Sequence, residues 1–266
     1  MKKTSETNTL ETSILPLQLD NVCFEANGNR LIKDISWCFE ANKRTAIIGP
    51  NGAGKSLLLR LCHGLIKPSQ GTVRWQNKIN TTQHQAMVFQ RPVMLRRSVG
   101  DNIDFALKLR SIPRNERFKT IDRVLSATGL KRLADQSARL LSTGEQQKLA
   151  LARAWALKPQ VLFLDEPTAS LDPSATYSIE KIITTIHEQG ATIIMATHDL
   201  GQVKRITDEV IFIDRGRILE TGTTNSFLKN PKNDLASAFI RGELLWWNKE
   251  TDNCKPINIK KIEEAN

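Results

Sequence analysis

Gly49, Pro50, Asn51, Gly52, Ala53, Gly54, Lys55 and Ser56 stand in unbroken order and follow the pattern G-x-x-x-x-G-K-S. Glycines let such a loop curl until successive backbone N–H groups point at phosphate oxygens, and a helix starting there turns the positive end of its dipole to the same point. In that pattern Lys55 reaches the β and γ phosphates of a nucleotide, and Ser56 offers a hydroxyl to Mg²⁺. A second block, Val161 to Pro167, is an apolar run that ends in two adjacent carboxylates, Asp165 and Glu166. Asp165 suits Mg²⁺ coordination; Glu166, one residue on, suits orienting or deprotonating a water for attack on a γ-phosphate. Alone, an acidic pair after a strand is more often a turn or a helix cap. Beside a phosphate-binding loop the hydrolytic reading is favoured. The third block is Leu141 to Gln147, where Ser142 precedes Glu145 by three residues, as in a capping box. The same helix start, with Gly144 in its first turn, is also a place where backbone N–H groups meet an anion.

Residues positioned this way need a sheet whose strand ends converge. Apolar, strand-like stretches run from Leu17 to Phe24, Leu31 to Phe39 and Thr45 to Ile48. The last leads directly into the glycine loop, and Lys55 to Leu65 reads as a buried helix stopped by Gly64 and Pro68. Between about Arg91 and Ala156 strand signals vanish and apolar residues recur at helical spacing, as in Ile103 and Leu107 or Ile121 and Leu125, so a helical insert is expected. Alternation resumes with a strand Val161 to Leu164, a helix Ser174 to Glu188, a strand Thr192 to Ala196 and a hairpin-like pair, Val210 to Ile213 and Arg217 to Leu219. The fold class is therefore α/β, a mainly parallel sheet interrupted by a helical subdomain at about 91–157. Residues 1–15 are polar and read as a disordered N-terminus, 16–247 as one nucleotide-binding domain, and 248–266 as a loosely ordered tail. No internal repeat is present, so the chain holds a single nucleotide cassette.

The 266 residues are 40% hydrophobic and 25% charged, which excludes a disordered, collagen-like or disulfide-stapled chain. No apolar run approaches the roughly 18 residues that cross a bilayer, and the mostly polar start lacks the apolar core of a signal peptide. The four cysteines, Cys23, Cys38, Cys62 and Cys254, form no C-x-x-C pair and read as free thiols. The net charge of +10 suits polyanions, phosphate ligands or an anionic membrane surface and separates these poorly.

The three motif blocks, in this order, resemble the nucleotide-binding subunits of ATP-binding cassette (ABC) transporters, over about Leu17 to Gly222. The resemblance implies a P-loop NTPase fold with a mainly parallel sheet, an antiparallel β subdomain and a helical insert. It implies ATP and Mg²⁺ as cofactors and ATP hydrolysis as the activity. Gln90 in Met87-Val88-Phe89-Gln90 matches the family's Q-loop glutamine, a ligand for Mg²⁺ or the attacking water. Ala169 to Asp172 matches the D-loop, and His198 in Ala196-Thr197-His198-Asp199 matches the switch histidine that contacts the γ-phosphate. On this reading the catalytic residues are Glu166, His198 and Gln90, and the metal ligands are Ser56, Gln90 and Asp165. The nucleotide is held by Gly49 to Ser56 together with Ser142 and Gly144 of a second subunit. Two positions depart from the family: Thr143 stands where glycine is usual, and Ala26 stands where an aromatic residue usually stacks on adenine, with Phe24 two residues earlier.

A single-cassette chain of this family is expected to work as a homodimer on the cytoplasmic face of the membrane, bound to separate permease subunits and served indirectly by an extracytoplasmic substrate-binding protein. The segment from Arg91 to Ile103 falls where the family docks a cytoplasmic permease helix. Residues 223–266 are too few for the regulatory domain of molybdate, maltose and several metal importers. The string Met87 to Val99 resembles that of bacterial tungstate importer ATPases, which points to an oxyanion, tungstate, as cargo. Phosphate and polar amino-acid importers are the alternatives. A non-transporting relative acting on ribosomes or DNA is a further one, disfavoured because such proteins usually carry two cassettes or a long coiled-coil insert; no nucleic-acid partner is expected.

Overall fold

The computed structural model describes residues 13–77, 80–243, 245–246 and 255–256. The stretch 1–12 of the expected disordered N-terminus and most of the tail lie outside them. Ile14 and Leu15, within the expected disordered stretch, are both buried, and the Ile14 N–H donates to Gln160 Oε1 at 2.8 Å.

Two sheets form the frame. Strands β1 (Leu17–Ala26), β2 (Asn29–Phe39) and β4 (Gln70–Trp75) make an antiparallel sheet in the order β2-β1-β4. The β1–β2 turn is Asn27-Gly28, with φ of 50° and 74°, the positive pair that a two-residue hairpin demands. The larger sheet has the order β5-β6-β7-β3-β8-β9, from β3 (Arg44–Ile48), β5 (Gln85–Val88), β6 (Val161–Asp165), β7 (Thr192–Ala196), β8 (Glu209–Asp214) and β9 (Arg217–Thr223). All its pairings are parallel except β8 with β9. Short strands β10 (Leu245–Trp246) and β11 (Lys255–Pro256) pair antiparallel.

Among the described residues the α-helices are α1 (Lys55–His63), α2 (Val99–Leu109), α3 (Arg114–Ala127), α4 (Thr143–Ala156), α5 (Pro173–Glu188), α6 (Leu200–Ile206), α7 (Thr224–Lys229) and α8 (Asp234–Ile240). Helix α1 stops two residues before Leu65 because Gly64 turns left-handed and its N–H takes the Leu61 carbonyl. Strands β3, β6 and β7 read as continuous apolar runs because both faces of the sheet are covered. In β6, Leu162 and Leu164 join the core of the helical insert, while Val161 and Phe163 join the core beneath α1 and the antiparallel sheet. In β3, Ile47 faces that second core, and Ala46 and Ile48 pack with Val203, Phe227 and Ala236. Each aliphatic side chain buried here contributes about 1.5–3 kcal/mol, and the sum holds the strand ends in register.

Candidate active site

The register of the large sheet assembles the site. Val88, Leu164, Met195 and Ala46 lie side by side across β5, β6, β7 and β3. Two or three residues beyond each of them the chain leaves the sheet, which brings Gln90, Glu166, His198 and Gly49 to one edge. This is the carboxyl edge, where open α/β sheets bind ligands.

Residues Gly49 to Gly54 turn the chain from β3 into α1. Gly49 has φ of 150°, and a Cβ there would collide with the Ile213 carbonyl oxygen. Gly54, at φ 104°, is the N-cap of α1, which starts without a side-chain cap and without an acidic residue in its first turn. Asn51 and Gly52 are exposed, Pro50 half-buried and Ala53 buried. The Lys55 ammonium folds back onto the loop and donates to the carbonyls of Gly49 at 2.9 Å and Pro50 at 3.2 Å, 3.8 Å from Glu166 Oε1. Burial holds this ammonium below the usual lysine range, opposed by the negative charges of Glu166 and Asp165. A desolvated cation facing an uncapped helix start is a site that gains from a polyanion. Ser56 Oγ donates to Asp165 Oδ1 at 2.6 Å, so the two oxygens assigned to Mg²⁺ are neighbours, and both are the hard donors that ion prefers.

Glu166 is the pivot. Its φ of 47° is unusual for a residue with a Cβ, costs about 1–3 kcal/mol, and recurs at Ser170, with φ of 62°. The Glu166 N–H donates to the Ala196 carbonyl at 2.9 Å, tying the end of β6 to the end of β7. Its carboxylate faces Lys55 on one side and His198 on the other, with His198 Nδ1 2.7 Å from Oε2. Lys55, Glu166 and His198 thus form one contact chain, beside the Ser56–Asp165 pair. Gln90 joins it by strand register alone, its side chain exposed.

Ser142 and Gly144 are placed differently. Ser142 caps α4 in a complete capping box: its Oγ accepts the Glu145 N–H at 3.4 Å, its N–H donates to Glu145 Oε2 at 2.9 Å, and its hydroxyl donates to the same oxygen at 2.7 Å. The Ser142 hydroxyl and then its N–H hold the Glu145 carboxyl below the usual glutamate range. Gly144 lies against α5, where a Cβ would come 3.2 Å from Ala175 Cβ. Thr143 is exposed, so the extra side chain at this departure faces outward. Asp172, ending the Ala169 to Asp172 turn, caps α5 by accepting from the Ala175 N–H at 2.9 Å. Ala26 is half-buried and pairs with Asn29 at the hairpin end, whereas Phe24 packs against the core.

The motifs did not point to Thr168 and Gln202. Gln202 is fully buried in α6 and its Nε2 donates to Thr168 Oγ1 at 2.9 Å. The available signal was Asp199 followed three residues later by Gln202, a helix-start pattern that the Gln202 N–H to Asp199 Oδ1 bond of 3.0 Å confirms.

A second concavity, about 390 Å³, lies between β5 and the helical insert. Phe89, Val93 and Leu109 are exposed at its apolar rim, and Arg153 of α4 lies half-buried in its wall. No helix among the described residues is long and apolar enough to cross a membrane.

Residues 32–169 match the family model described as ABC transporter. The chain is 38% identical over 209 residues to the tungstate uptake system ATP-binding protein TupC of Peptoclostridium acidaminophilum, covering 77% of this chain and 98% of that protein. It is 35% identical over 246 residues to the phosphate import ATP-binding protein PstB of Mycoplasmoides gallisepticum, covering 84% and 74%. Among solved structures, cbiO1 from Clostridium perfringens, part of the ABC transporter complex cbiONQ, superposes with a TM-score of 0.74 at 30% identity over 82% of this chain and 93% of that one. With its phosphate loop, acidic strand end and capped Ser142 helix on the fold these proteins share, the chain belongs to the ABC transporter family and is one of its ATPases.

Proposed function

We propose that this ATPase energises import of an oxyanion, tungstate, as a homodimer on the cytoplasmic face of the membrane, with permease subunits docked in the groove between β5 and the helical insert. The observation that carries the cargo is the match to a tungstate uptake subunit over nearly its whole length. The phosphate import relative, three percentage points lower in identity, supports the second reading, phosphate. The exposed Phe89, Val93 and Leu109 around the groove support the docking face, since an apolar rim is stabilised when a partner covers it.

The residues present fit ATP and Mg²⁺. The phosphates lie along the N–H groups of Gly49 to Ser56, and Lys55 exchanges its two carbonyl contacts for β and γ oxygens. Ser56, Asp165 and Gln90 would hold Mg²⁺, which when bound would offset the negative charge of the β and γ phosphates. Glu166 orients a water and accepts its proton as the water oxygen attacks the γ-phosphorus. The bond to the β–γ bridging oxygen then breaks, leaving ADP and phosphate. His198 holds Glu166 from the side opposite Lys55 and reaches the γ-phosphate. Ser142 and Gly144 of the second copy close over that phosphate, and closure of the dimer drives the permease.

Cells from which the chain is deleted should lose high-affinity tungstate accumulation while keeping phosphate uptake. Normal tungstate accumulation with defective phosphate uptake would move the cargo to phosphate, and loss of neither would overturn the oxyanion reading.

A further inference from the structure

The turns between Glu166 and Asp172 place two residues with side chains in the left-handed region, so their shape depends on what surrounds them. Backbone bonds hold them in part: the Glu166 N–H to Ala196, the Ala169 N–H to Glu166 and the Leu171 N–H to Thr168. The side-chain bond comes from α6, where Gln202 Nε2 donates to Thr168 Oγ1 at 2.9 Å. Helix α6 begins directly after His198, and Asp199, its cap, accepts the Gln202 N–H while its own N–H donates to Thr197 Oγ1 at 3.1 Å. One turn further, Arg205 makes a two-point pair with the buried Glu180 of α5, at 2.6 and 2.8 Å. The helix is thus fastened on one side to the Glu166 turn and on the other to the helix that follows it.

Gln202 is an odd choice for packing alone. It is fully buried, and among the described residues its Oε1 has no hydrogen-bond partner. A buried amide with an unmet acceptor destabilises relative to an apolar residue of the same shape, so stability alone would favour Leu or Met here. What glutamine supplies and they do not is the N–H to Thr168.

We infer that Gln202 is a positioning residue for hydrolysis: through Thr168 it sets where the Glu166 carboxylate stands relative to His198 and the attacking water. The inference rests on the catalytic reading of Glu166 and His198 given above. Because Gln202 follows His198 by four residues and is tied to Thr168, a shift of His198 toward the γ-phosphate is felt two residues beyond Glu166. The hydrogen bonds of Thr168 run to Gln202 and Leu171, not to Lys55, Ser56 or Asp165, so its loss acts on turnover.

The test is steady-state ATP hydrolysis by the full chain and by Thr168→Val, Gln202→Met, the double variant and Thr168→Ser. A misplaced general base lowers kcat by about tenfold or more, so each single variant should lose at least that, with KM for ATP within about twofold of wild type. The double variant should be no slower than the slower single, because both remove one bond. Thr168→Ser, which keeps the hydroxyl, should restore kcat. Wild-type turnover in either single variant, or losses that multiply in the double, would overturn the inference. Glu166→Gln in the same assay separates the two levels. If it is slow while Thr168→Val is normal, only the positioning role falls; if it turns over at the wild-type rate, the catalytic reading itself fails.

Discussion

Two helix starts in this molecule face the same problem with opposite solutions. Helix α1 opens at Gly54 with no side-chain cap and no acidic residue in its first turn, and the buried ammonium of Lys55, its first residue, folds back onto the preceding loop. Helix α4 opens at Ser142 with a complete capping box, and the Glu145 carboxylate already takes the Ser142 N–H and hydroxyl. Both carry a helix dipole and a first turn whose N–H groups lack partners within the helix. The difference is that α1 is built to receive its anion from solution, while α4 holds a substitute from its own sequence. On the proposed function the first binds nucleotide within one chain, whereas the second is already satisfied within one chain, and an anion brought by another copy would compete with Glu145.

The largest effect should come from the open start. Lys55→Ala removes the cation from a water-poor site and leaves the backbone loop in place. ATP hydrolysis should fall by at least about a hundredfold, the usual loss when one buried electrostatic partner of a transferring phosphoryl group is removed. Thermal unfolding without nucleotide should be little changed, since the ammonium is desolvated and bonded only to carbonyls and a carboxylate at 3.8 Å. Hydrolysis at the wild-type rate by a folded variant would remove the distinction between the two helix starts.

Next in size is the variant pair that asks whether α4 serves a second copy. Glu166→Gln keeps ATP binding but should slow hydrolysis on the order of 10² to 10⁴-fold, the range for losing a general base. ATP should then hold two chains together, seen as a dimer by size-exclusion chromatography with ATP and Mg²⁺. Adding Ser142→Arg, which places a bulky side chain at the exposed start of α4, should abolish the dimer and leave monomer ATP binding intact. A dimer that survives Ser142→Arg would show that α4 does not cover the nucleotide.

The open start was legible in the sequence and its surroundings only in part. The loop Gly49 to Ser56 and the run Val161 to Leu164 announce themselves because their chemistry is local: glycines where the backbone must curl, and apolar residues where both faces are buried. The capping box at Ser142 was readable for the same reason. Strand β5 was not, because its four residues begin with glutamine and it is a strand only by pairing with β6. Polar β4 is likewise held by its antiparallel partner β1, and the short helices α6 to α8 depend on tertiary contacts more than on periodicity. The left-handed turn at Glu166 is invisible in a stretch without glycine, since a tertiary frame imposes it. The Gln202–Thr168 bond spans 34 residues, and nothing local encodes it.

The smallest expected effect lies in the cap itself. In the folded chain the Ser142 hydroxyl and N–H hold the Glu145 carboxyl below its usual range, whereas the unfolded chain titrates near an ordinary glutamate, about 4.3. A depressed folded value means the cap contributes stability above the unfolded pKa and loses it as pH falls through the folded one. Glu145→Gln should therefore flatten the pH dependence of unfolding below about pH 4.5. At neutral pH it should cost under about 1 kcal/mol, because glutamine also serves in a capping box. The same substitution removes the negative charge that competes with an incoming anion. In the Glu166→Gln background it should thus lower the ATP concentration that half-saturates dimer formation, by a few-fold. A variant that needs more ATP to dimerise would show instead that Glu145 helps to hold the nucleotide, and the two helix starts would differ in strength of binding and not in kind.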